Sequence, residues 1–455
     1  MRKILSLTLA LMLLIGCMAS MPGAMAEQQT VRVAWQAMSE KDIMDPISGL
    51  VKKGSPDFEA LIESKMPGVD IEIVHIPSDG WIQKMETTLT SGEADVGWYT
   101  NQVMAAEWFV DHRQFMANDP DFSEEVFEAT FTTPTKQYTR YHTYDFPDAA
   151  GSILGLPYGQ GGYWLMYDKL LFEQWGLEFP SEEGLHYDQL IELAQKMTGT
   201  NPVTGQQNYG IYVQPFWCEW LGVGADLYHT ITDPTMNIDN LDVAKDVDYI
   251  KDSPEVLKYF QQLADMIACA PAGAAAGTGQ EKWLTPDNDV AIMLDTSVTS
   301  QYMAHFLSND TETTDRFIPF MPIHGEQGVS AFPEVHHVAV AKQANDPELA
   351  WQVVKTICTD TDILNWLYEN SLWGDVPAMN DTTGINIMEH EFVAKRYADR
   401  QAHTLITDDY WYWREPINKV FSPLFAGELT PEQARETFYN NSVEWVANKK
   451  AQLGK

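Results

Sequence analysis

The chain has 455 residues, enough for two lobes that each bury a core, and its 65 acidic and 29 basic residues give a formal net charge of −36. That charge argues against nucleic acid and anionic lipid as partners. The four cysteines include no C-x-x-C spacing, so neither a disulfide framework nor a cysteine zinc site is expected.

The N-terminus is predicted to be a secretory signal peptide. Arg2 and Lys3 precede an apolar run over 4–15 that is too short to span a membrane. Two cleavage sites compete. A lipobox-like sequence over 14–17 would leave Cys17 as a lipid-modified first residue, whereas the A-x-A tripeptide at 24–26 would release a soluble protein beginning at Glu27. Either site puts the folded protein outside the cytoplasm, anchored to the cell membrane or secreted.

Strands and helices alternate in the first part of the mature chain. Strands are predicted over 31–35, 69–76 and 94–99, with helices over 58–65 and 81–90 between them. This alternation is typical of a mostly parallel sheet with helices on its faces.

Aromatic and amide side chains stand where these strands end. In open α/β sheets, ligands bind outside the carboxyl ends of the strands. A flat aromatic ring suits the apolar C–H face of a sugar, although each aromatic has a place in the core as its alternative. The ligand-binding residues predicted here are Trp35, Gln36, Trp98, Tyr99 and Asn101.

The segment from Gly155 to Glu173 is predicted to be a hinge. It contains a strand that ends near Pro157, a glycine-rich passage over 159–162 where the backbone can bend, an apolar strand ending at Tyr167 and a short helix. Later in the chain, strands are predicted over 290–294, 317–321 and 337–341. Helices are predicted to begin at the cap sequences at 253–255, 346–348 and 430–433.

The hinge segment resembles the lobe-to-lobe crossing of solute-binding proteins of ABC importers, specifically the carbohydrate-binding, maltose-binding-protein-like kind. The resemblance rests on the Gly-Leu-Pro tripeptide at 155–157, the strand end at 167–169 and the Leu-Phe pair at 171–172. Asp168 stands where the family has Asn. The sequences at 347–351 and 425–434 are also similar to the family, so the resemblance covers nearly all of the mature chain.

The resemblance implies an α/β fold of the two-lobed, type II periplasmic-binding-protein class. Each lobe would be a mostly parallel sheet flanked by helices. Lobe I would comprise 27–158 and 336–385, and lobe II 159–335 and 386–455. The three crossings between the lobes would act as hinges near Gly159, Glu334 and Gly384.

The resemblance also implies ligand contacts beyond the first strands. These would come from the hinge, from the returning strand and from the second lobe, at Tyr158, Gln160, Gln214, Phe216, Trp217, His336, Trp413 and Arg414. The alternative for His336 is a structural histidine. The family often has a Trp after the strand at 290–294, whereas this chain has Asp-Thr-Ser-Val at 295–298, so a maltodextrin ligand is not expected.

The function implied is that of an extracytoplasmic binding protein, a monomer without cofactor or metal. It would capture a sugar or oligosaccharide by lobe closure and deliver it to an ABC permease. One alternative keeps the fold but binds a polyamine, an amino-sugar or a peptide, which the acidic balance permits. The other is a secreted carbohydrate-active enzyme, but no catalytic motif and no selected pair of carboxylates supports it. The sequence therefore predicts a protein that is not an enzyme.

Overall fold

The computed structural model describes residues 29–44, 51–78, 80–100, 102–140, 147–160, 165–181, 184–215, 247–294, 296–320, 323, 335–370, 376–402 and 409–452. Within these ranges, side chains are described except at 102–104, 147, 296–300, 399–402 and 409–414.

The strands are β1 Gln29–Gln36, β2 Ile43–Met44, β3 Val51–Lys52, β4 Val69–Ile76, β5 Val96–Tyr99, β6 Leu156–Gln160, β7 Leu165–Asp168, β8 Gly199–Thr200, β9 Gln207–Tyr212, β10 Val290–Leu294, β11 Phe317–Phe320, β12 Val335–Val340 and β13 Val376–Pro377. The helices are α1 Ser55–Lys65, α2 Trp81–Thr90, α3 Gln102–Trp108, α4 Arg113–Met116, α5 Glu124–Thr130, α6 Thr133–Thr139, α7 Lys169–Trp175, α8 Tyr187–Lys196, α9 Asp248–Asp252, α10 Pro254–Ile267, α11 Thr296–Leu307, α12 Thr311–Arg316, α13 Pro347–Thr359, α14 Thr361–Asn370, α15 Glu391–Ala402, α16 Asp409–Phe425 and α17 Pro431–Gln452. Short 3₁₀ helices lie at Pro147–Ala149, Ala274–Ala276 and Asn386–Glu389.

Two sheets organise the described residues, which confirms the predicted two-lobed α/β class. The first sheet has the order β13-β6-β12-β5-β1-β4, and the second has the order β11-β7-β10-β9-β8. Both sheets are mixed. In the first, β12 runs antiparallel to both neighbours, and in the second β7 does the same, because these strands return from the opposite lobe. A small ribbon of β2 and β3 stands apart from both sheets.

The capping sequences start helices where the sequence predicts them. The Ser253 side chain accepts a hydrogen bond from Val256 N at the start of α10, and Asp346 caps α13 in the same way. At α17, Gln433 N donates to Thr430 Oγ1 while Thr430 N donates to Gln433 Oε1. Each cap satisfies backbone donors that a helix cannot pair internally, so these three boundaries follow from local chemistry.

Helix packing shows which sheet each of the last three helices lies with. Helix α15 packs against β13 and α6, and therefore lies with the first sheet. Helices α16 and α17 pack against α10, and α17 also packs against α9, so both lie with the second sheet. Helix α15 thus contacts elements of the first sheet, although 386–455 is predicted to belong to lobe II. The predicted hinge near Gly384 stays a prediction.

The first boundary also differs slightly from the prediction at 158/159. Strand β6 continues to Gln160, which pairs with Val335 of β12 and Val376 of β13. Strand β7, which begins at Leu165, belongs to the second sheet, and β12, which begins at Val335, belongs to the first. Helix α11 follows β10 of the second sheet but packs against α14 of the first.

Candidate functional site

The carboxyl ends of four strands meet at one edge of the first sheet. Strands β1, β4 and β5 are parallel, and β6 runs in the same direction because both β5 and β6 are antiparallel to β12. The edge therefore brings together the ends of β1, β5 and β6 with the start of β12. Predicted site residues on this edge are Trp35, Gln36, Trp98, Tyr99, Tyr158, Gln160 and His336.

A corresponding edge exists on the second sheet. Strands β9, β10 and β11 run in one direction and end at Tyr212, Leu294 and Phe320, beside the start of β7 at Leu165. The four residues between Gln160 and Leu165 can span at most about 18 Å. The two carboxyl edges therefore lie next to each other, in the place where open α/β sheets bind ligands.

One face of the first sheet carries a cluster of aromatic rings just below this edge. Trp98 Nε1 donates to Tyr158 Oη at 2.9 Å, and the His336 ring lies 5.3 Å from Trp98 and 5.8 Å from Tyr158. Trp35 packs 5.8 Å from Tyr158. Each of these four side chains is 5% exposed or less. The alternation of the strands turns them inward, so in this structure they form the floor beneath the edge and contact one another.

Tyr99 lies on the other face of the same sheet. Its ring stacks on His337 at 4.7 Å and 11°, and on Phe109 at 4.9 Å. Gly155 is required beside it, because a Cβ at Gly155 would lie 2.9 Å from Tyr99 Cε1. His337 Nε2 in turn lies 3.0 Å from Thr139 Oγ1. Tyr99 is therefore a packed core residue in this structure.

Gln160 differs from these aromatic residues because its polar atoms form no hydrogen bond with the described part of the chain. The side chain is fully buried, and neither its amide oxygen nor its amide nitrogen has a hydrogen-bond partner among the described residues. The backbone is fixed by pairing on both sides, with Val335 and Val376. Leaving a buried polar group unsatisfied costs about 1–3 kcal/mol, so this amide needs a partner that the described chain does not supply.

The end of β1 adds a second polar group and a strained residue. Gln36 is 6% exposed, and the next residue, Ala37, has a left-handed backbone with φ 58°. Ala37 N donates to Ile76 O at 3.0 Å, and Met38 O contacts His75 Nδ1 at 3.0 Å, which holds the turn. Backbone strain of this kind is retained most often at functional sites.

A comparison with protein-family models bears on the role of this edge. The model described as bacterial extracellular solute-binding protein matches residues 41–368. The chain belongs to this family. The resemblance recognised from the crossing sequence is therefore confirmed, and this solute-binding protein is extracytoplasmic.

Solved structures of similar fold cover almost the whole solute-binding protein. A sugar-binding protein MalE from Xanthomonas citri aligns with a TM-score of 0.66 at 14% identity, over 94% of this chain and 100% of that one. Maltose-bound MalE3 from T. maritima aligns at 0.65 and 15%, over 91% and 99%. An ABC substrate-binding protein from Listeria monocytogenes in complex with cycloalternan aligns at 0.64 and 14%, over 94% and 99%. A comparison with curated proteins found no match.

For most of the remaining predicted contacts, the structure of this solute-binding protein does not describe the side chain. Asn101, Phe216, Trp217 and the lipidation candidate Cys17 are outside the described residues, and Trp413 and Arg414 lie in α16 with side chains that are not described. Gln214 is half-buried and follows β9 at the second carboxyl edge. These contacts stay predictions.

The described residues of this solute-binding protein contain no group of three or more His, Cys, Asp or Glu side chains arranged to hold a metal ion. None of their helices combines the length and apolar character needed to cross a membrane.

Proposed function

We propose that this solute-binding protein captures a neutral sugar or oligosaccharide between its two carboxyl edges and, acting as a monomer, delivers it to an ABC permease. The observation that carries the proposal is the buried amide of Gln160, placed where the chain crosses between the sheets. A sugar hydroxyl both donates and accepts hydrogen bonds, so it can satisfy the amide nitrogen and the amide oxygen. The named relatives of similar fold include proteins bound to maltose and to cycloalternan, which supports the same class of ligand.

The crossing gives the binding event a mechanical consequence. Gln160 belongs to the first sheet, and Leu165, beyond the crossing, belongs to the second. A ligand that contacts both edges is bound more tightly when the edges approach each other, so it shifts the lobes toward a closed arrangement. A permease that recognises that arrangement then receives the loaded protein.

The described strand ends offer groups that suit a sugar. The side chains there include amides, a threonine hydroxyl and aromatic rings, among them Gln36, Thr100, Gln160 and Gln214. Amides and hydroxyls can pair with the hydroxyls of a sugar, and aromatic rings can pack against its C–H face.

Replacing Gln160 by methionine should weaken sugar binding at least 10-fold without lowering thermal stability. Methionine keeps the length of the side chain but removes the amide, and removing an unsatisfied buried polar group does not destabilise a fold. A thermal-shift screen with maltose, cellobiose, lactose and raffinose identifies a sugar that stabilises the wild-type protein, and calorimetry then gives the two Kd values. Gln207→Met, at the opposite end of β9, is the control and should bind as the wild type does. Unchanged affinity with a large loss of stability in Gln160→Met would instead make Gln160 a structural residue.

Membrane anchoring through Cys17 is a separate proposal. A lipid-modified Cys17 would hold the folded protein beside its permease, with 18–28 as a tether. Intact-mass analysis of the native protein should then show an N-terminus at residue 17 carrying acyl chains, and Cys17→Ser should release the protein from the membrane fraction. A native N-terminus at Glu27 would contradict the anchor and leave sugar capture unaffected.

A further inference from the structure

Trp81 occupies a special position at the carboxyl edge of the first sheet. It is the first residue of α2, which follows the end of β4 at Ile76. Gly80, just before it, has a left-handed backbone with φ 65°, and its carbonyl accepts from Lys84 N at 3.2 Å. An L-residue with a side chain is strained in that conformation, so the glycine allows the chain to turn directly into the helix. The turn fixes Trp81 at the end of the strands.

The side chain of Trp81 reaches around that edge. Helix α2 covers one face of the sheet, where Leu89 lies so near Gly97 that a Cβ there would be 3.0 Å from its Cδ2. Trp98, the next residue of the strand, points to the opposite face. The Trp81 and Trp98 rings nevertheless contact each other, with centroids 5.8 Å apart at 66°. A side chain that starts over one face and contacts a ring of the other face must pass over the strand ends.

Trp81 also differs in exposure from the aromatic residues beneath it. Trp35, Trp98 and Tyr158 are 5%, 1% and 2% exposed, whereas Trp81 is only partly buried. A T-shaped contact leaves at least one broad face of an indole uncovered by its partner. The support is rigid, because Trp98 is itself held by its hydrogen bond to Tyr158. The edge therefore presents a partly open indole on a fixed support, at the same end of the sheet as the buried amide of Gln160.

We propose that Trp81 is the stacking platform of the first lobe, the residue whose indole face packs against a sugar ring while Gln160 bonds its hydroxyls. This inference rests on the proposed function and makes it more specific. It assigns the aromatic contact to a helix-start residue and leaves the strand residues Trp35, Trp98 and Tyr158 in a supporting role. A flat apolar platform favours pyranose rings with an uninterrupted C–H face over linear polyols and peptides.

The test compares shape with apolar bulk at position 81. Trp81→Phe keeps a flat ring and should stay within about 3-fold of the wild-type Kd, whereas Trp81→Leu keeps bulk without a planar face and should weaken binding about 10-fold or more. The ligand is whichever of maltose, cellobiose, lactose or raffinose stabilises the wild-type protein most. The matched control is Trp175→Leu, because Trp175 is also partly buried but bonds to Asn208 at the amino end of β9. That variant should lose stability and keep wild-type affinity.

A measurement on the wild-type protein covers the case in which Trp81→Leu does not fold. Oxidation of tryptophan by N-bromosuccinimide, followed by peptide mass spectrometry, should be slowed several-fold at Trp81 by the bound sugar and unchanged at Trp175. Equal affinity of Trp81→Leu and wild type, or no protection of Trp81 at saturating sugar, would overturn the platform while sugar capture stands. Failure of every sugar in the set to bind the wild-type protein would refute the proposed function and the platform with it.

Discussion

Replacing Asp168 by alanine should lower the free energy of unfolding by about 3–5 kcal/mol. The Asp168 carboxylate is fully buried at the end of β7, and Arg316 donates to it twice, from Nε at 3.0 Å and from Nη2 at 2.6 Å. Asn288 Nδ2 donates to the same carboxylate at 2.8 Å. Its oxygen also caps α7 by accepting from Leu170 N at 3.0 Å. Alanine would leave the largely buried Arg316 guanidinium without its partner and remove the cap at once.

Urea denaturation followed by tryptophan fluorescence measures this loss. Asp168→Asn keeps one acceptor oxygen but replaces the other by an NH₂ donor, so it should destabilise the protein less than alanine does. The control is Glu192→Ala, which breaks the exposed Lys196–Glu192 pair on α8 and should cost no more than about 0.5 kcal/mol. A loss below about 1 kcal/mol for Asp168→Ala would show that the buried pair contributes no more than a surface pair.

The protein should lose stability steeply as the pH falls from about 6.5 to 4. His112 is fully buried between strands, its Nδ1 lying 3.1 Å from Ile153 O while Nε2 accepts from Val340 N at 3.0 Å. Burial lowers the pKa of His112 to about 4. Burial, together with the neighbouring His336, lowers the pKa of His337 to about 3. Both rings are therefore neutral in the folded protein where they would be charged in the unfolded chain.

The direction of this pH dependence follows from whether the folded or the unfolded state binds protons at the higher pH. Below pH 6.5 the unfolded chain takes up protons on these histidines while the folded protein does not, so the stability present above pH 6.5 is lost as the pH falls. For His112 alone the loss at pH 4 is about 3 kcal/mol. Thermal melts in steps from pH 7 to 4 should show it, and His112→Asn should reduce the slope. The same slope in that variant would contradict the assignment.

A buried carboxylate contributes in a different pH window. Burial acts to raise the pKa of Asp119, but hydrogen bonds from Lys355 and Trp351 outweigh it and lower that pKa to about 2. Its contribution is complete above its ordinary pKa of 3.8 and is lost only as the pH falls toward 2. The loss between pH 6.5 and 4 therefore reports the histidines and not this pair.

Local chemistry made much of the fold predictable. The helix starts at Ser253, Asp346 and Thr430 follow from capping side chains that lie within one turn of the donors they satisfy. Strands β10 and β12 are buried along their whole length, and such strands appear in the sequence as near-continuous apolar runs. Such signals depend on near neighbours in the sequence, so they can be read without the tertiary structure.

The placement of α15 and of the site aromatics could not be read in the same way. Which sheet α15 covers depends on contacts with β13 and α6, far away in the sequence. Trp98 does lie at the end of a strand, as predicted. A side chain at a strand end can still point into the core, and the alternation of β5 directs Trp98 there. From the sequence, Trp81 could be predicted only as the start of a helix. Its place over the carboxyl edge of the first sheet depends on the turn at Gly80.

The insertion of β12 between β5 and β6 constrains how the chain is made and exported. Residues 335–340 form a central strand of the first sheet, although they follow the strands of the second sheet in the sequence. Until residues 335–340 have been synthesised, β5 and β6 lack the strand that pairs with both of them. The sheet of lobe I can therefore be completed only late in synthesis. Such long-range pairing folds slowly. The first lobe therefore stays incompletely paired through most of synthesis, which fits a protein that has to leave the cytoplasm before it is fully folded.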